Sequence, residues 1–253
     1  MNVSYEKKQR FVEVTWDRPP LNVFDIKLLR ELDETLSLCA REVSSDVIVL
    51  RGAGERAFSA GVDIRDHTPE KVPEMLEAVH GVIRKLLALP QVTVAAVRGV
   101  CLGGGLEIAS SCDLVVASEE SSFATPEILV GCYPPVALAR FAGVIGYARA
   151  AEMILTGRRF SAREMQQMGL INRVFAGAEF DRNVQALVDE LLGKSGAVLR
   201  LTVRGLRELS LQNFVQALRR SEEIYCRELL QTADVAEGVA AFLEKRAPQW
   251  RHR

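Results

Sequence analysis

Several things are missing from this sequence, and each absence excludes a class of function. No run in the 253 residues approaches the ~18 consecutive apolar side chains of a membrane span. Met1 to Arg10 is polar and holds no apolar signal-peptide core. There is no basic excess: Lys plus Arg is 32, Asp plus Glu is 33, and the formal net charge is -1. A general polyanion binder would carry such an excess, so nucleic acid is not an expected partner. Paired cysteines are missing too. Cys39, Cys101, Cys112, Cys132 and Cys226 are scattered, with no CxxC among them. That spacing offers neither a disulfide framework nor a zinc site, and no metal is expected. Reduced thiols fit a cytoplasmic setting. No GxGxxG and no GK[ST] are present, so a nucleotide-phosphate cradle is not expected either. No sequence repeat, low-complexity stretch or Gly/Ser/Pro linker interrupts the chain.

What remains is 48% hydrophobic and 26% charged, the balance of a soluble globular protein of one large domain or a domain with an appendage. Residues 11–16 are β-rich and partly alternating, so they read as a strand. Leu29, Leu32, Leu36 and Cys39 follow at helical spacing. Residues 47–50, 92–97 and 114–117 are short, fully apolar strands of the kind buried on both faces. Thr68-Pro69-Glu70 has the form of a helix start, and that helix should run to about Leu89, before Pro90. Strands and helices alternate to about residue 130, which predicts an α/β protein with parallel pairing. Beyond Gly146 the sequence reads as helix: 150–156, 162–168, 181–192, 198–209 and 214–243.

Three segments could carry chemistry. In Val97 to Glu107 a buried strand ends, Gly103-Gly104-Gly105 follows, and a helix begins. Its first N–H groups lack intrahelical partners and carry partial positive charge, and glycine lets a ligand approach them closely. Glu107 lies three residues after Gly104, on the same face of the first turn. One place thus offers a donor for an oxyanion and a carboxylate for proton work. A tight turn with a dipole-stabilising glutamate is the competing reading. Ser59-Ala60-Gly61-Val62-Asp63 exposes a backbone N–H at Val62, or is a plain turn. Thr125-Pro126-Glu127 supplies a second carboxylate, or is an ordinary helix start.

Taken together these pieces resemble the crotonase, or enoyl-CoA hydratase/isomerase, family. The resemblance rests on Arg18-Pro19 with Leu21-Asn22, on Ala57-Phe58-Ser59-Ala60-Gly61-Val62-Asp63-Ile64 and on Gly103-Gly104-Gly105-Leu106-Glu107. It continues through Cys112-Asp113-Leu114, Phe123 with Pro126-Glu127-Ile128, Leu155-Thr156-Gly157, Ser161-Ala162-Arg163-Glu164 and Gly169-Leu170-Ile171-Asn172-Arg173-Val174. It covers nearly the whole chain.

The resemblance implies a spiral of β-β-α units over residues 1–195, in two roughly perpendicular sheets. A helical C-terminal region over 196–253 would pack on it and support a homotrimer or a dimer of trimers. It implies an acyl-CoA thioester substrate and no further cofactor. The oxyanion hole would be the N–H groups of Val62 and Gly104, and the catalytic carboxyls Glu107 and Glu127. Which glutamate is acid and which base stays open at this point. Ala60, Asp63, Ile64, Arg65, Arg18 and Pro135 are the expected substrate and CoA contacts. Arg18, Arg56 and Arg65 are candidates for the CoA phosphates, with solvated surface charge as the alternative. Phe242 and Lys245 fall where the family lets a neighbouring subunit approach CoA. For His67 a surface or capping role is expected, and for Cys101 core packing.

One stretch departs from the short-chain hydratases. Where they have a glycine-rich segment, this chain reads Gly131-Cys132-Tyr133-Pro134-Pro135-Val136-Ala137, whose prolines fix φ and remove N–H donors, so a stiff apolar wall is expected beside Glu127. With Asp66 to Val72 upstream, it is similar to the cyclohexa-1,5-diene-1-carbonyl-CoA hydratases of that family. The expected activity is therefore hydration of that thioester to the 6-hydroxycyclohex-1-ene product. A general short-chain enoyl-CoA hydratase, an isomerase or a thioester hydrolase is the alternative, and an RNA-binding member of the fold the most distant one.

Overall fold

The computed structural model describes residues 2–252. The chain advances in repeated strand–strand–helix turns. β1 (Val3–Lys8) and β2 (Phe11–Trp16) form an antiparallel hairpin followed by α1 (Ile26–Ala40). Then come β3 (Val47–Gly52), β4 (Ala57–Ser59) and α2 (Val72–Ala88); next β5 (Val92–Val97), β6 (Val100–Leu102) and α3 (Gly104–Ser110). The fourth turn is β7 (Leu114–Ser118), β8 (Ser122–Ala124), α4 (Pro135–Ile145) and α5 (Tyr147–Thr156). β9 (Phe160–Ser161), α6 (Ala162–Met168) and β10 (Arg173–Phe175) lead to α7 (Phe180–Leu192), α8 (Gly196–Ser210), α9 (Phe214–Arg227) and α10 (Ala233–Leu243).

After the β1–β2 hairpin, whose two strands both join the larger sheet, each turn gives one strand to each of two sheets. The six-stranded sheet has the order β1-β2-β3-β5-β7-β10 and the four-stranded sheet β4-β6-β8-β9. Apart from the β1–β2 and β8–β9 pairs, the ladders are parallel. The apolar runs of β3 and β5 are buried on both faces, as parallel strands require. Ile48, Leu50, Ala95 and Val97 join the main core, which also takes in Phe214, Leu218, Tyr225 and Val235 from the C-terminal helices. Val47, Val49, Val92 and Val94 face the other way, against Phe180, Val184, Leu187 and Val188 of α7 and Val203 of α8.

Several elements differ from the sequence reading. β1 is a strand despite its polar text, because it is an edge with only Val3 buried. α2 begins at Val72, not at Pro69. The Thr68 carbonyl accepts from the N–H groups of both Lys71 and Val72, closing a turn first, and Pro73 occupies the first helical turn. The stretch 214–243 is two helices, broken by a 3₁₀ turn at Leu229–Gln231 and an extended Thr232. β9 and β10 are short strands in a third of the chain that reads almost entirely as helix.

α8 is tied to the sheets by a buried ion pair. Arg207, 8% exposed, meets Asp113 through Nε at 2.9 Å and through Nη2, and also reaches backbone carbonyls between α2 and β5. Asp113 in turn accepts from the N–H and hydroxyl of Thr93 at 2.7 and 2.8 Å. Among the described residues no helix is long and apolar enough to cross a membrane.

Candidate active site

Three neighbouring parallel strands of the small sheet end on one side. Leu102 of β6 pairs with Ala124 of β8, and Ser59 of β4 with Cys101 of β6. The segments that leave these ends, 60–63, 103–107 and 125–127, therefore converge. This is where crevices form in parallel sheets, beyond the carboxyl ends of the strands. All three segments singled out in the sequence lie here.

They border one cavity of about 680 Å³, lined also by α2, α9 and the start of α4. Arg18, Ala60, Val62, Asp63, Ile64, Arg65, Gly104, Glu107, Glu127 and Pro135 all line it. His67 lines it as well, rather than sitting on open surface, with Nδ1 3.0 Å from the Asp63 carbonyl oxygen. Phe242 is at its edge. Arg56 and Lys245 are not in the lining, and Cys101 is fully buried away from it.

The donors are in place. Gly61 holds φ +94°, which turns the chain after β4. Among the described residues the N–H groups of Val62 and Gly104 donate to no protein acceptor. A methyl group at Gly104 would meet Val62 Cγ2 at 2.7 Å and the Val62 nitrogen at 3.9 Å, so the two backbones approach closely only because residue 104 is glycine. A side chain at Gly103 would collide with the Glu127 carboxyl.

The two carboxyls have unlike surroundings. Glu107 is 3% exposed, and its Oε1 accepts from the N–H of Val136 at 2.8 Å and of Ala137 at 3.0 Å. Those donors are the first turn of α4. Pro134 and Pro135 set its start, where a missing N–H is no loss, and aim the next two N–H groups at Glu107. The segment expected to be only a stiff apolar wall is thus also an anion-holding helix terminus. Burial raises Glu107, but nearby His80 and the two N–H groups oppose the rise. Glu127 has no comparable support, and among the described residues its buried Oε2 has no hydrogen-bond partner. Burial, then the charge of Glu107, push it up to about 8. When the pair holds a single proton, Glu127 is the better place for it, because its charge lacks the two N–H groups that support Glu107.

Asp63 is held otherwise. It caps the turn at Ile64–Asp66 and pairs with Arg65, which brings its carboxyl down to about 2, and Arg18 lies 3.6 Å away. Arg18 also bonds Asp25 at 2.9 Å and the Val23 carbonyl at 2.6 Å. These ties make the Arg18, Asp63 and Arg65 cluster a rigid charged rim.

The far end of the cavity is apolar and aromatic. Met75, Leu76 and Val79 of α2, with Tyr133, Pro134 and Tyr225, line it. Tyr133 meets Tyr225 edge-on at 5.0 Å, and its hydroxyl donates to the Ser221 carbonyl at 2.7 Å. Sequence reasoning placed Tyr133 and Pro134 in this wall but missed Met75, Leu76, Val79 and Tyr225, and missed His80, a polar residue on the otherwise apolar buried face of α2. That interruption was the available signal. Among the described residues no group of His, Cys, Asp and Glu is arranged to hold a metal ion.

Two free backbone N–H groups and two unlike carboxyls thus border one cavity on a spiral of β-β-α turns. The family model for enoyl-CoA hydratase/isomerase matches residues 6–253, and the chain belongs to that family. A cyclohexa-1,5-dienecarbonyl-CoA hydratase of Thauera aromatica is 30% identical over 259 residues, covering 100% of this chain and 97% of its own. A carnitinyl-CoA dehydratase of Proteus mirabilis is 32% identical, over 96% of this chain and 95% of its own. The crystal structure of an enoyl-CoA hydratase from Mycobacterium avium subsp. paratuberculosis superposes with a TM-score of 0.90 at 28% identity, over 99% of this chain and 98% of the other.

Proposed function

We propose that this protein adds water to a conjugated enoyl- or dienoyl-CoA thioester, and that its preferred substrate is cyclohexa-1,5-diene-1-carbonyl-CoA. The observation that carries the reaction is the unequal carboxyl pair beside two free N–H groups. The thioester oxygen lies against Val62 and Gly104, whose donors stabilise the enolate, each by about 2.7–4 kcal/mol in such sites. Glu107, ionised on the N-terminus of α4, takes a proton from water as the water attacks the β carbon. Glu127 holds the proton that the carbon skeleton then receives. In the cyclic diene, attack at the β carbon leaves an extended dienolate, and protonation at its far end gives the 6-hydroxycyclohex-1-ene thioester. The Arg18, Asp63 and Arg65 rim, with Ala60 and Ile64, is the binding edge for CoA. No cofactor beyond the thioester enters these steps.

The ring assignment is supported by the aromatic wall at Tyr133 and Tyr225, by the Pro134-Pro135 corner, and by the similarity to the Thauera enzyme. A flat ring fits a rigid apolar slot better than a flexible chain does. The similarity to carnitinyl-CoA dehydratases favours a second reading, dehydration of a 3-hydroxyacyl thioester through the same groups in reverse. The test is kcat/KM for the cyclic dienoyl-CoA, crotonyl-CoA and carnitinyl-CoA, with products identified. The cyclic thioester should lead. Equal or better turnover of crotonyl-CoA overturns the ring assignment, a lead for carnitinyl-CoA establishes the second reading, and release of free CoA overturns hydration.

A homotrimer or a dimer of trimers is part of the proposal. Of the apolar residues of α9, Phe214, Leu218 and Tyr225 are buried within the protomer and Val215 is exposed. A row of unpartnered apolar side chains also lies on α8, where Val198, Leu201, Leu206 and Leu209 are 59–74% exposed.

A further inference from the structure

Glu127 stands on the 3₁₀ turn at Pro126–Val130, and no side chain of that turn is fully buried. Val130, partly buried, is its contact with the main core. The Glu127 Oε2 has no hydrogen-bond partner among the described residues, so the carboxyl goes where the turn goes. What locates the turn is close approach on three sides. At Gly103 a Cβ would strike the Glu127 carboxyl. At Gly157, which ends α5, a Cβ would meet Ile128, Leu129 and Pro126 at 3.1–3.4 Å. The third side is α10. A Cβ on Gly238 would collide with the Val130 carbonyl, 2.5 Å from its carbon, and would lie 3.1 Å from the Gly131 nitrogen. A Cβ on Gly131 would in turn lie 2.7 Å from the carbonyl oxygen of Asp234, four residues before Gly238 on the same helix. Turn and helix therefore touch backbone to backbone. Gly238 lies inside α10, where glycine weakens a helix relative to alanine. Alanine would favour the helix but would not fit the contact. α10 is itself held by the end of the chain: Asp234 accepts from the N–H groups of Arg251 at 2.6 Å and His252 at 2.9 Å, and Glu237 from that of Gln249 at 2.7 Å.

We infer that Gly238 is a positioning residue: by admitting the Val130 carbonyl against α10, it seats the Pro126–Val130 turn and so aims the Glu127 carboxyl at the carbon that receives its proton. The inference rests on the hydration reading above, in which Glu127 is the proton donor. The size of the effect follows from the contact. Carbon atoms in ordinary contact stand about 3.5 Å apart. A Cβ at 2.5 Å from the Val130 carbonyl carbon therefore forces helix and turn apart by about 1 Å. Val235 and Val239 are buried beside Gly238, and the chain end is folded back on α10. The turn, with no fully buried side chain, is the part that yields. An error of about 1 Å in the placing of a reacting group costs about 10²-fold in rate. Glu107 hangs on α3 and α4, and the N–H groups of Val62 and Gly104 lie on other segments, so thioester binding is left in place.

The test measures kcat and KM of the intact protein with whichever of cyclohexa-1,5-diene-1-carbonyl-CoA and crotonyl-CoA it turns over faster. Gly238→Ala should keep the wild-type circular dichroism, lower kcat by about 10²-fold and leave KM within about threefold of wild type. A double-mutant cycle with Glu127→Gln then decides the route. If Gly238 acts through Glu127, adding Gly238→Ala to Glu127→Gln should cost no more than about threefold beyond Glu127→Gln alone. A second loss of about 10²-fold in the double variant, a rise in KM at unchanged kcat, or full turnover by Gly238→Ala overturns the inference. Should Gly238→Ala fail to fold, Val235→Ala, which loosens the same seat without a clash, goes through the same cycle under the same criteria, with a loss of about fivefold in kcat expected. Glu127→Gln alone separates the two readings. If it lowers turnover while Gly238→Ala does not, only the role of Gly238 is lost. If Glu127→Gln keeps full turnover, the hydration reading itself has failed.

Discussion

Replacing Glu127 with glutamine should destroy activity and at the same time stabilise the protein. The shape is nearly unchanged, but the proton that Glu127 delivers is gone, so turnover should fall by about 10²–10⁴-fold. Stability moves the other way because of where the carboxyl sits. Its value rises from 4.5 to about 8 through burial and the charge of Glu107. A group whose folded value lies above its unfolded value contributes stability that is complete below the unfolded value and is lost as pH rises through the folded one. Between pH 4.5 and 8 the unfolded chain releases this proton and the folded protein keeps it. Each pH unit in that window is worth about 1.4 kcal/mol. Glutamine has no proton to release, so at pH 7 the variant gains up to roughly 3 kcal/mol. Sharing of the proton with Glu107, and contact of Glu127 with the cavity, bring the expected gain to about 1–2 kcal/mol. Denaturant unfolding at pH 5, 7 and 8.5, at one fixed protomer concentration, reads the difference. The gap should be small at pH 5 and widen to pH 8. A variant that is no more stable than wild type at pH 7, or a gap that does not widen with pH, would refute the assignment of the shared proton to Glu127. The same titration sets the alkaline side of activity: wild-type kcat should decline as pH rises through about 8.

Gly104→Val should abolish turnover with the fold retained by circular dichroism, since a Cβ there meets Val62 at 2.7 Å and fills the space in front of both N–H donors; full activity would place the oxyanion site elsewhere. Asp113→Asn should lower stability by about 3–5 kcal/mol by leaving Arg207 buried without its counter-charge, read by thermal unfolding; a change under 1 kcal/mol would mean that the carbonyls around Arg207 suffice. Light scattering at micromolar protomer concentration should give the mass of a trimer or of two trimers, and an aspartate at exposed Leu206 on α8 should lower it; a monomer in the wild type contradicts the assembly.

Much of this molecule is legible in its sequence, because the signals involved are local. Short apolar runs at 47–50, 92–97 and 114–117 can be stable only as strands covered on both faces. Glycine at 103–105, after a strand and before a helix, leaves N–H groups free whatever the rest of the chain does. Glu107 follows from helical spacing. β1 was not legible, since an edge strand needs little apolar text, and the break at 228–232 was hidden because both flanking segments are good helices. What only the tertiary structure decides is which groups face one another. Residues 60–63, 103–107 and 125–127 meet because parallel strands β4, β6 and β8 end together. Pro134 and Pro135 read as a stiff wall, yet in the fold they start α4 and send the N–H groups of Val136 and Ala137 to Glu107. That contact supports the charge of one glutamate and leaves its neighbour, raised by burial and by that charge, the better holder of a proton. The sequence contains both carboxyls as equals, and the difference between them arises from desolvation and through-space charge, which exist only once the chain has closed around them.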